Sequence, residues 1–78
     1  MSSHIKLSEL SLGKDGIITA LNTGEASNAR LTDMGFYPSA HIKPLFSALW
    51  GDPVAYRVQN AVIALRRSDA EKIAVIPI

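Results

Sequence analysis

Cysteine is absent from all 78 residues. That removes disulfides, thiolate metal sites, iron–sulfur clusters and thiol nucleophiles together, and it fits a reducing compartment. An excess of charge is lacking too, because eight Lys and Arg face seven Asp and Glu. Nucleic-acid binders draw much of their affinity from neutralising phosphates, so this near balance argues against a DNA or RNA partner. The small basic bias lies after Pro53, where four cations face two acids. No stretch approaches the roughly 18 apolar residues of a membrane span, so direct membrane insertion is not expected. Met1-Ser2-Ser3-His4 has no apolar h-region, so no signal peptide is expected. Phosphate loops are missing as well. Gly13-Lys14-Asp15-Gly16 has neither the length nor the hydroxyl of a Walker loop.

What remains is a single domain over residues 1–78 with an apolar content of 47%, enough to fold. Gly16-Ile17-Ile18-Thr19-Ala20-Leu21 reads as a buried strand. Glu25 to Met34 reads as the main helix, capped by Thr23 or Ser27 and ended by Gly35 in a left-handed conformation. Asp33 lies three residues after Arg30, a spacing that suits a surface pair. His41 to Phe46 is a second strand, and Pro44 marks it as an edge or a bulge. Trp50-Gly51-Asp52-Pro53 is a turn. Val54 to Gln59 alternates cleanly, and with Ala61 to Leu65 it forms a hairpin turning at Asn60. Ser68 and Glu71 have capping-box spacing for one helical turn. Ile73 to Ile78 is the last strand. Five short strands in so small a chain predict a closed, SH3-like β-barrel with a helical insertion after the first strand.

The search for chemistry is negative. Serines are not placed in a nucleophile elbow. Asp15, Asp52, Asp69 and Glu71 each sit where turns or helix starts use acids, and Asp33 has Arg30 beside it. His4 and His41 are too few and too far apart to predict a metal site or a cofactor. A catalytic His41 would need a concave pocket and a carboxylate within hydrogen-bond reach. Binding features are clearer. Arg66-Arg67 either packs its stems and bonds nearby carbonyls or grips an acidic partner. Trp50 is either a lid on the core or an exposed anchor. Of Phe36 and Tyr37, at least one should plug the core.

Leu7-Ser8-Glu9-Leu10 with Gly13 and Gly16, then Arg30-Leu31-Thr32-Asp33-Met34-Gly35-Phe36, Gly51-Asp52-Pro53 and Leu65-Arg66-Arg67-Ser68-Asp69-Ala70-Glu71-Lys72-Ile73, occur in one order. Together they resemble the FeoA family and the related SH3-like domain of metal-dependent repressors. The resemblance implies a cytosolic, non-enzymatic accessory of ferrous-iron uptake that binds the membrane transporter FeoB. It implies no cofactor and no metal ligand set. Asp33, Gly35, Gly51, Asp52 and Pro53 are its fold signatures. Candidate contacts are Lys14, Phe46, Trp50, Arg66 and Arg67, and self-association is the other use of such a surface. Pro44 to Trp50 is apolar where the family is usually basic. The alternative reading is a stand-alone metal-responsive regulatory or oligomerisation module.

Overall fold

Six strands, not five, make one sheet. The computed structural model describes residues 3–78. The chain runs β1 (Ile5–Lys6), β2 (Gly16–Leu21), α1 (Glu25–Asp33), β3 (His41–Ser47), β4 (Val54–Val58), β5 (Ala61–Leu65), α2 (Arg67–Ala70) and β6 (Ile73–Pro77). A 3-10 turn follows β1 at Leu7–Glu9, and another, Leu49–Gly51, lies in the β3–β4 connection. The strand order is β1-β6-β2-β3-β4-β5, and every pairing is antiparallel.

The expected closed barrel is not formed. β1 pairs only with β6 and β5 only with β4, so the sheet has two free edges. Closure would need a ladder between β5 and β1. Instead α2, just after β5, packs on the Leu7–Glu9 turn just after β1. Leu7 and Ala70, on these two pieces, are fully buried. The contact is made by turns whose backbone bonds are satisfied locally, as with Leu10 N–H to Leu7 C=O and Ala70 N–H to Arg66 C=O. Such segments offer no strand edge.

The core lies inside the curled sheet: Leu7, Ile18, Leu31, Phe36, Ile42, Tyr56, Val58, Ile73 and Val75. Phe36 is the plug. Its placement follows from the end of α1, where Gly35 N–H donates to Thr32 C=O at 3.0 Å and Phe36 N–H to Leu31 C=O at 2.8 Å. This is the Schellman pattern, with its usual apolar contact between the residues it brings together. It requires the φ of +108° at Gly35, where a Cβ would also stand 3.2 Å from Gln59 Cγ. Tyr37 is only partly buried, and its hydroxyl accepts from the Gln59 amide.

Neither expected cap starts α1. Gly24 holds the N-cap position, and Asn28 secures the junction from inside the helix. Its Oδ1 accepts from the Thr23 N–H at 2.9 Å and from the Thr23 hydroxyl, while its Nδ2 donates to Leu21 C=O at 3.2 Å. The Arg30–Asp33 pair does not form; among the described residues the one ion pair is His41 with Asp15. Pro44 is not on an edge. β3 lies between β2 and β4, and the register slips between Pro44 and Phe46, so the proline is accommodated by a bulge. The β4–β5 turn takes its positive φ at Gln59, not at Asn60.

Candidate functional site

The β3–β4 connection carries the most exposed apolar side chain among the described residues. Beyond the bulge, Phe46 is 60% exposed, Leu49 77% and Trp50 95%. Trp50 has a φ of +66° and Gly51 a φ of +83°. Two successive left-handed residues reverse the chain, and Gly51 N–H closes the reversal on Ala48 C=O at 3.0 Å. Glycine takes this conformation without strain, whereas a bulky side chain pays for it. The tryptophan is therefore held outward at a cost in both backbone strain and hydration. Nothing in the core gains from it, so Trp50 is not a lid.

Asp52 ties this tip to α2. Its Oδ1 accepts from the Arg67 N–H at 2.9 Å, a donor that no intrahelical carbonyl can serve at the first helical position. Ser68, the expected cap, lies inside the helix, and the capping carboxylate comes instead from a turn fifteen residues earlier. The same turn draws in the Arg67 side chain, whose Nη2 would stand 3.6 Å from a Cβ built on Gly51. Asp52→Ala should cost about 1 kcal/mol, as other lost caps do; chemical denaturation of the variant would measure it.

Between this turn and the Ser8–Leu12 segment lies a shallow depression of about 300 Å³, lined by Leu10, Leu12, Ser47, Gly51, Val54 and Tyr56 among others. Leu12 stands at its edge, half exposed. Burial pushes the Tyr56 hydroxyl up to about 12, against a pull downward from Arg67 and with a smaller push upward from Asp52. A raised tyrosine favours folding while both states are protonated. That stabilisation is complete below about pH 10 and is lost as pH rises toward 12. Phenolate absorbance should show this late titration, and Tyr56→Phe should remove its share of the alkaline loss of stability.

The candidate contacts are thus only partly gathered. Trp50 and Arg67 share the tip, Phe46 lies at the end of the strand leading into it, and Arg66 directly precedes Arg67 as the exposed N-cap of α2. Lys14 stands apart. It sits in the loop before β2, a loop fastened to β3 by Gly13 N–H to Pro44 C=O at 2.7 Å. Of the fold signatures, Gly35, Gly51 and Asp52 have direct structural work, and Pro53 follows Asp52 through a cis peptide. Asp33 is exposed at the end of α1, and nothing in the structure explains its presence. Leu12, Leu49 and Tyr56 complete the site, and only Leu49 had a visible signal, as a leucine in an apolar run beside a turn.

A second depression, of about 290 Å³, is lined by Asp15, His41, Lys43, Arg57 and Gln59. His41 Nε2 lies 2.9 Å from Asp15 Oδ1. This is the concave histidine–carboxylate geometry that a catalytic His41 requires. Its lining contains no serine, threonine or tyrosine for the imidazole to activate, and the two side chains are 59% and 42% exposed, so water screens the pair. Among the described residues no three His, Cys, Asp or Glu side chains cluster as metal ligands, and no helix is long and apolar enough to cross a membrane.

Comparison with known proteins gives a consistent result. The family model described as the FeoA domain matches residues 5–77. A Fe(2+) transport protein A/Fe(2+) transporter FeoB fusion protein of Porphyromonas gingivalis is 35% identical over 71 residues, which are 91% of this chain and 8% of the fusion protein. The solution structure of FeoA from Chlorobium tepidum superposes with a TM-score of 0.90 at 34% identity, covering 95% of this chain and 70% of that one. The zinc-complexed FeoA of Stenotrophomonas maltophilia superposes at 0.74 with 26% identity, covering 96% and 88%. A manganese-dependent transcriptional repressor superposes at 0.83 over 44% of its length, and at 14% identity that likeness concerns the fold alone.

Proposed function

We propose, from the premise that this chain belongs to the FeoA family, that it is a non-enzymatic accessory of ferrous-iron uptake which docks on the cytosolic region of a FeoB transporter. One observation supports the partner. In the Porphyromonas gingivalis relative a domain like this one is part of the same polypeptide as FeoB. A domain that works beside a transporter when fused to it needs a docking surface when it is separate.

The observation that carries the reading is Trp50, 95% exposed on left-handed backbone. A large aromatic anchor ringed by smaller apolar groups and an arginine is the composition of an interface centre. Phe46 and Leu49 supply the apolar surround and Arg67 the cation, while Asp52 fixes the turn against α2. The chain acts by occupying a partner's pocket, and no bond is made or broken. Immobilised chain should retain the cytosolic region of FeoB from the same organism. Retention no better than by a charge-matched β domain of similar size would sink the proposal.

A further inference from the structure

We infer that the outer face of β3 and β4 is a second binding surface, separate from the Trp50 tip, that receives an acidic peptide segment in extended form. Lys43 and Arg57 are direct cross-strand partners. Like charges placed opposite each other on a sheet repel and destabilise it. Among the described residues neither has a carboxylate partner, because Asp15, the acid in the depression, is engaged by His41 at 2.9 Å. A sheet gains nothing internally from this pairing, and a bound anion would relieve it.

The layout selects the kind of anion. Ile42, Pro44, Tyr56 and Val58 point into the core, so by alternation Lys43 and Arg57 project outward. His41 precedes Lys43 by two residues and Gln59 follows Arg57 by two, which places a polar row beside the cationic one, roughly 7 Å along the strands. Side chains at alternate positions of an extended peptide have that same spacing. One carboxylate can meet the Arg57 fork and Lys43. The next polar group then meets the second N–H of the Gln59 amide, whose first donates to the Tyr37 hydroxyl. On the next strand Val62, 55% exposed and paired with Arg57, offers apolar contact beside the charges. A compact phosphate can meet the Lys43–Arg57 pair but leaves Gln59 and Val62 unmatched.

Acetylated hexaglutamate, inorganic phosphate and a short oligothymidylate can be titrated separately into the isotope-labelled chain and followed by amide NMR. Hexaglutamate should move the resonances of Lys43, Arg57 and Gln59 most. The double variant Lys43→Gln/Arg57→Gln should bind it about tenfold or more weakly, as expected for a lost charge-paired contact, and should melt no lower than the parent. Lys43→Glu provides an independent check. It converts the repelling pair into an attractive one, so it should melt higher and lose the peptide. Undiminished affinity in either variant would overturn the inference. So would the largest shifts falling on Arg66 and Arg67, or tighter binding of phosphate or oligothymidylate at these same residues.

Discussion

Trp50→Ala should leave the fold intact and weaken FeoB binding by about 30-fold or more. The size follows from the threshold of about 2 kcal/mol that defines a hot-spot side chain. The stability expectation follows from exposure: Trp50 is 95% exposed, so its removal opens no cavity. Trp50→Gly separates the two roles further. A left-handed φ costs a residue with a Cβ about 1–2 kcal/mol. Glycine removes that cost and returns up to about 1 kcal/mol through the greater freedom of its unfolded chain. The glycine variant should therefore be as stable as the parent or slightly more so, and equally poor at binding. Thermal melts paired with binding titrations of both variants check this. A tryptophan that held the fold would instead give two variants that melt early.

Phe36→Ala should have the opposite profile, with a large loss of stability. Phe36 is completely buried beside Leu31 at the end of α1. Truncating a buried phenylalanine to alanine typically costs about 3–5 kcal/mol, part lost transfer energy and part cavity. A domain of this length has only about 4–12 kcal/mol of stability in all. The variant should thus have a denaturation midpoint far below that of the parent, or be unfolded at room temperature. Urea titration by circular dichroism would show it. A cost under about 1 kcal/mol would mean that the core collapses around the gap and that Phe36 is not its plug.

These two aromatics show how much of the molecule its sequence discloses. The strands from β2 to β6 were legible because β-branched runs and clean alternation, as in Val54 to Val58, are local signals. Gly35 was legible too, since a glycine after an amphipathic stretch predicts a left-handed helix end. Closure of the sheet was not. The short β1 and the packing of α2 on the Leu7–Glu9 turn join distant parts of the chain, and no local signal announces either. The caps failed for the same reason. Ser68 has the right spacing, yet Asp52 reaches the Arg67 N–H because the β3–β4 turn happens to lie beside α2.

The candidate site divides along the same line. Trp50, Phe46 and Arg67 could be named because their residue types are conspicuous in a turn, a strand end and an arginine pair. That Trp50 points outward could not be read. It depends on the φ values at Trp50 and Gly51, and the sequence Trp-Gly is compatible with several turns. Tyr56 was hidden by alternation itself, which marks it as an ordinary core residue and says nothing of the shallow depression it helps to line. The charge pattern of Lys43 and Arg57 was invisible for a different reason. It exists only in the register between β3 and β4, which the bulge at Leu45 shifts.

If FeoB docks on this chain as proposed, it covers the Trp50 tip. Amide hydrogen exchange of the chain, alone and saturated with the cytosolic region of FeoB, tests it most directly. Added protection is expected over residues 46–52 and at Arg67, with β1 and β6 unchanged. Protection confined to β1, β6 or α1, with the tip exchanging as freely as before, would contradict it.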